Sequence, residues 1–238
     1  MTLRTPVIAL LAFTAVVLLV RTAAGAIGAD DPRPQTPERR SMSSIERPVG
    51  PVPIVKQAYR NNCETAALSM LLAAAGVQVD QRVLQRQVAR SGPLDPLVAA
   101  DGTWTWGNPD RGFVGRAPGG GTAGGFGVYQ GPIRRLAARY DVTLADLTQT
   151  NVTAIVARLR VGRPVMAWIG LSEGPYRSWR TPSGEKITVN FGEHTVILTG
   201  IQGSMIRVND PLSGARREWS IAEFAKRWRW LGKRALAL

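Results

Sequence analysis

Apolar residues change their spacing along this chain, and each change marks an element. Pro6 to Val20 form an almost unbroken apolar run between Arg4 and Arg21, and Ile27 to about Val52 is polar and proline-rich. From Glu64 to Gly76 the spacing is helical: Ala67, Met70, Leu71 and Ala74 share one face. Asn61 and Asn62 stand where a cap belongs, and Gly76 supplies a stop. This predicts a helix buried at the centre of the domain, with Cys63 at its start. Further helices are expected over Asp80–Arg90, Pro132–Tyr140 and Val152–Arg160, the last closed by Gly162 and Pro164.

The period then shifts. Pro164–Gly170 reads as a buried strand, and His194–Ile201 with Met205–Asp210 reads as a hairpin around Gln202-Gly203-Ser204. Ser220-Ile221-Ala222-Glu223 is a capping box that opens a helix through Trp228. Between the helical blocks, Ser91 to Gly131 forms a long irregular stretch with many glycines and aromatics. Its Gly119–Gly125 cluster lacks the Gly-Lys-Ser/Thr ending of a phosphate loop, which argues against nucleotide binding and for a flexible loop. Helices first and strands afterwards predict an α+β fold, a helical N-terminal part packed against an antiparallel β-sheet.

The first apolar run ends in Ala24-Gly25-Ala26, a small-x-small cleavage pattern, and falls short of the ~20 residues a comfortable bilayer span needs. Residues 1–26 therefore read as a signal peptide, with a membrane anchor as the alternative. Either places the remaining chain outside the cytoplasm, secreted or anchored. Residues 27–52 read as a disordered linker, because so few apolar side chains cannot offset the entropy of folding. Residues 53–238 are the expected folded domain.

Thirty basic residues against 17 acidic ones give a formal charge of +13. Lysine occurs only at Lys56, Lys186, Lys226 and Lys233, so arginine supplies the rest. The arginines are scattered rather than gathered in a stripe with interleaved aromatics, which argues against a nucleic-acid partner. Weak attraction to an anionic cell envelope or membrane surface fits the charge better. The single cysteine, Cys63, and single histidine, His194, leave no intramolecular disulfide. A zinc site of Cys and His is also out of reach, and no metal or cofactor is expected.

What remains is nucleophilic chemistry. A helix start favours a thiolate at Cys63, and a neutral imidazole at His194 is a natural base for it. Gln57, six positions before Cys63, can carry an amide that stabilises an oxyanion. If Gln202 centres the hairpin, Asp210 lies across from His194 and orients the ring, with Asn209 taking that place if the register slips by one. Trp104, Trp106 and Tyr129 can line a cleft for an extended peptide.

Gln57-x5-Cys63 before an Ala/Leu-rich helix, then His194 on a strand, then Val208-Asn209-Asp210-Pro211, resembles papain-like cysteine peptidases. Trp106-Gly107-Asn108-Pro109, Gly112-Phe113-Val114-Gly115 and Gly127-Val128-Tyr129 are similar to stand-alone secreted relatives of the double-glycine leader peptidase (bacteriocin-processing) family. The resemblance spans about Val52 to the C-terminus. It implies a papain-like fold in which Cys63 attacks a carbonyl, His194 relays the proton, Asp210 orients His194 and Gln57 assists the oxyanion. It further implies a peptide or protein substrate. Cys63-Glu64-Thr65 departs from the Cys-Gly usual in bacteriocin-processing members, and no transporter segments follow. An acyltransferase or transpeptidase with the same triad, or a peptide-binding module without turnover, are the alternative expectations.

Overall fold

Helix and sheet here are built around one long strand. The computed structural model describes residues 49–119 and 124–238. The expectations for residues 1–26, for most of 27–52 and for the middle of the glycine cluster lie outside the described residues. Five helices are described: α1 (Cys63–Ala74), α2 (Gln81–Gln87), α3 (Gln130–Ala138), α4 (Val152–Arg160) and α5 (Ile221–Arg229). Six strands form an antiparallel sheet: β5 (Ala145–Asp146), β6 (Val165–Gly170), β9 (Glu193–Gln202), β10 (Met205–Asp210), β11 (Ala215–Ser220) and β12 (Ala235–Ala237). Their order across the sheet is β11-β10-β9-β6-β12-β5. The α+β fold expected from the order of elements is the one observed.

Strand alternation divides the core between the two faces of this sheet. Met166, Trp168 and Ile197 pack with α1, whereas Val165, Ala167, Ile169, Val196 and Leu198 pack with Ile155, Leu159, Phe224 and Trp228 of α4 and α5. β6 is buried on both faces, which explains its continuous apolar sequence. α1 is buried nearly all round, Cys63 to Leu72 without a break, because sheet, α2 and α3 enclose it. Asn62 precedes it but makes no side-chain cap. Its carboxamide instead accepts from the Tyr59 amide at 2.8 Å and donates to Gln81 at 2.8 Å, tying the loop before α1 to α2. Ser220 caps α5 as expected, its hydroxyl accepting from the Glu223 amide at 3.1 Å, while the Glu223 carboxylate accepts from Arg227 at 2.6 Å. The fold takes hold of the chain slightly before Pro53, since the Gly50 amide donates to the Ala74 carbonyl at 2.8 Å.

The stretch expected to be irregular contains ordered strands. β1 (Leu97–Val98) and β2 (Trp104–Thr105) join β7 (Tyr176–Arg180) and β8 (Lys186–Asn190) in a second sheet, and β3 (Val114–Gly115) pairs with β4 (Gly125–Gly127). Its glycines serve close packing as well as turning: a Cβ on Gly107 would stand 2.1 Å from the Ser91 carbonyl oxygen. Among the described residues, no helix is long and apolar enough to cross a membrane.

Candidate active site

Cys63 is the first residue of α1, at the end where backbone N–H groups lack intrahelical partners. Its Sγ lies 3.4 Å from Oε2 of Glu64 and 3.9 Å from Oε2 of Glu193, and the thiol can donate to either carboxyl. Alternation along β9 explains the second contact. Glu193 has the parity of Ile197, which packs on the α1 side of the sheet, whereas His194 has the parity of Val196. At the start of the strand His194 nevertheless lines the same cavity as Cys63, about 150 Å³ in volume.

His194 and Asp210 are brought together: Nε2 lies 2.7 Å from Oδ1, and both side chains are buried. The route differs from the one expected. The hairpin pairs Gln202 with Met205 and Gly200 with Arg207, and then Leu198 with Val208. Thr199 is thus an extra residue, a β-bulge, and beyond it the ladder continues with Ile197 opposite Asn209. Continued, this register sets Asp210 against Val196, so its contact with His194 is diagonal. Without the bulge, Asp210 would share a face with Ile197 and point away from the ring. Asn209, the alternative partner, turns to the N-terminal segment and donates to the carbonyls of Val52 and Pro53 at 3.3 and 2.9 Å.

Three further donors hold Asp210. The Leu212 amide reaches Oδ1 at 2.9 Å, while the Ser213 hydroxyl and Arg217 Nε reach Oδ2 at 2.9 and 3.0 Å. Burial works against the charge of Asp210, but its interaction with His194, assisted by Ser213 and Leu212, holds it well below the usual carboxylate range. With Nε2 committed to Asp210, Nδ1 is the ring nitrogen left to take a proton.

The thiol side has the opposite balance. Burial first, then the Glu193 and Glu64 carboxyls, push the Cys63 thiol well above its ordinary value, against a smaller opposing pull from the Thr195 amide. The expectation that the helix start would favour a thiolate is corrected: desolvation and two acids outweigh the helix end in this resting arrangement. Burial also pushes Glu64 up to about 7, despite the Val128 amide donating to its Oε1 at 2.6 Å. Glu193 is raised by burial and by Glu64, against a bond from the Thr195 hydroxyl at 3.1 Å. Cys63, Glu64 and Glu193 each bring one acid atom within 4.8 Å of the others, close enough for their charges to oppose one another or to hold a cation.

Gln57 also lines the cavity. Its Nε2 donates to the carbonyls of Tyr59 and Arg60 at 2.8 and 2.9 Å, while its buried Oε1 has no partner among the described residues. Donation to an oxyanion would require release of one of those bonds. The aromatics expected along a substrate cleft need correction. Trp106 is fully buried, its Nε1 donating to the Pro93 carbonyl at 3.1 Å. Tyr129 is buried beneath the Arg234 guanidinium, 3.8 Å from the ring centroid. Trp104 is half-buried, set edge-on to Trp106 and covered by Arg177. The aromatic rings that line the thiol cavity are Phe126 and Phe191. Glu64 and Glu193 were missed as site residues. The available signal was their adjacency to Cys63 and His194, together with the departure from Cys-Gly at position 64.

The Peptidase_C39 like family matches residues 49–236. The chain belongs to that family. It is 33% identical over 182 residues to the uncharacterized protein YvpB of Bacillus subtilis (strain 168), covering 75% of this chain and 69% of YvpB. A crystal structure of a Bacillus anthracis protein described as a C39-like peptidase is similar at a TM-score of 0.66 and 27% identity, over 78% of this chain and 93% of that one. The C39-like relationship and the observed architecture together give the chain a cysteine-peptidase-like fold.

Proposed function

We propose that this C39-like protein is an exported cysteine peptidase in which Cys63 is the nucleophile, His194 the base and Asp210 the residue that orients it. The observation that carries the reading is His194 lining the Cys63 cavity with its Nε2 fixed by Asp210 at 2.7 Å. That bond selects the tautomer and leaves Nδ1 for the thiol. When a peptide carbonyl enters, the thiol proton passes to His194 as sulfur attacks. The protonated ring then returns the proton to the departing amine, leaving a thioester that water resolves. The apolar run Pro6–Val20 and the small residues at 24–26 support export. Attraction of the basic chain to anionic envelope polymers would keep it near the cell surface.

Cys63→Ala and His194→Ala should each abolish hydrolysis of 4-nitrophenyl acetate, an activated-ester probe of the thiol, and of fluorescent casein. Circular dichroism should show the fold intact. Folded variants that keep wild-type turnover sink the proposal. Adding amine acceptors and looking for new amide product separates hydrolysis from acyl transfer, since both proceed through the thioester.

A further inference from the structure

Any thiol acyl transfer at Cys63 develops negative charge on the carbonyl oxygen, and that oxygen needs donors. The amide side chains around the nucleophile are already committed. Gln57 Nε2 serves two carbonyls, Asn61 Nδ2 donates to the Gly119 carbonyl at 2.6 Å, and Asn62 Nδ2 donates to Gln81. Beside the backbone N–H groups at the start of α1, which lack intrahelical partners, two carboxyls remain, and their placement is specific. Each of Glu64 and Glu193 has Oε1 satisfied by a donor of its own, the Val128 amide and the Thr195 hydroxyl, and Oε2 turned toward Sγ at the wall of the same cavity. Gly127 leaves the room: a Cβ there would stand 2.1 Å from Glu64 Oε1 and 3.4 Å from Glu193 Oε2.

We infer that Glu64 and Glu193 form a charge-coupled carboxyl pair whose neutral member donates a hydrogen bond to the oxyanion formed on the Cys63 acyl group. This rests on the thiol-enzyme reading above and adds a pair of catalytic residues to it. A buried Glu64 and a half-buried Glu193 carboxylate at the wall of one small cavity oppose each other's charge, so the pair keeps a proton into the neutral range, and a neutral carboxyl is a donor. The step conserves every proton. The thiol proton passes to His194, the S–C bond forms as the carbonyl π bond opens to oxygen, and the carboxyl O–H binds that oxygen without transfer. The C–N or C–O bond of the substrate then breaks, and an amine leaving group carries off the proton held by His194.

The ionisable groups facing the pair come from several elements. They are Cys63 on α1, His194 beside Glu193 on β9, Arg60 at the cavity rim, and the buried Tyr129 phenol, whose own ionisation both carboxyls oppose. Arg60 is exposed, and among the described residues it is the only lysine or arginine lining the cavity.

A glutamine at position 193 retains a donor at any pH, which decides between a donor and a base. With 4-nitrophenyl acetate and the full chain, Glu193→Gln should keep turnover within about threefold at about pH 6, whereas Glu193→Ala should lose on the order of 10²-fold. Glu193→Gln should also keep its activity as pH is raised, while the wild type loses turnover as the pair gives up its proton. Glu193→Gln as inactive as Glu193→Ala would make the carboxylate a base and overturn the inference. So would a wild-type pH profile for Glu193→Gln, a measurement that stands even if the alanine variant fails to fold. Stoichiometric binding of Zn²⁺ or Mn²⁺ by calorimetry, lost in Glu193→Gln, would overturn it in favour of a cation. Cys63→Ala keeping full turnover sinks the thiol reading itself, whatever Glu193 does. Cys63→Ala dead with both Glu193 variants unaffected sinks only the carboxyl pair.

Discussion

Two buried carboxylates a few residues from the same cavity meet opposite fates. Asp210 accepts from His194, the Leu212 amide, the Ser213 hydroxyl and Arg217, and it is held ionised. Glu64 receives only backbone amides, its own and that of Val128, faces a second acid and a thiol, and is pushed up to about 7 by burial. Burial opposes charge at both, so partners decide. The lesson is a division of labour: the histidine half of the site is built around an ionised carboxylate that fixes the ring, and the sulfur half is kept protonated. A buried neutral thiol resists alkylation and oxidation, and it becomes reactive only when a substrate changes its surroundings.

The most damaging way to break this contrast is Asp210→Ala. It strips His194 of its orienting bond and leaves Arg217 without its partner. Ester turnover should fall on the order of 10³-fold, and urea unfolding at pH 7 should show a loss of about 3 kcal/mol, as expected when one partner of a buried pair is removed. Turnover reduced less than about tenfold would mean that His194 needs no orienter.

Glu64→Gln sharpens the contrast on the other side. The folded chain holds the Glu64 proton more tightly than an unfolded one, since burial raises it from 4.5 to about 7. Its stabilising contribution is therefore full below about pH 4.5 and lost as pH rises through about 7, a change of about 3 kcal/mol at roughly 1.4 kcal/mol per pH unit. Asp210 slopes the other way, its contribution present above the ordinary carboxylate range and lost on acidification. Between about pH 4 and pH 8, Glu64→Gln should gain on the wild type by up to about 3 kcal/mol in urea unfolding. Parallel stability curves would show that Glu64 ionises without penalty.

The elements were legible in the sequence wherever one signal dominated. The Ala/Leu run of α1, the apolar β6 and the Ser220 capping box each carry enough local preference to name themselves. The β7–β8 hairpin was not legible: Tyr176 to Arg180 alternates weakly, and only Trp179 is buried. The loop aromatics misled because glycines such as Gly107 let backbones approach closely enough to bury Trp106, and close approach between distant segments leaves no periodic mark. Of the candidate site, the Cys63–His194–Asp210 set could be read from residue types and chain order. The two glutamates adjoin Cys63 and His194 in the chain, but that adjacency carries no direction, and only the fold turns Glu193 toward the helix that carries Cys63.

The hairpin register is the most instructive difference, and it leads to the smallest expected effect. A symmetric hairpin about Gln202 predicts Asp210 opposite His194, but the turn is tighter, with Met205 pairing with Gln202. Taken alone, that shift would put Asp210 on the wrong face. Thr199 restores the parity by dropping out of the ladder. Its position beyond the pairing with β6, which ends at Leu198, leaves the other side of β9 untouched. Deleting Thr199 should then close the bulge while preserving every pairing on both sides, with His194 and Asp210 still sharing a face. Turnover should stay within about threefold and thermal stability within a few degrees. A loss above about tenfold would show that the bend and twist of the bulge, rather than parity alone, set the distance between Asp210 and the imidazole.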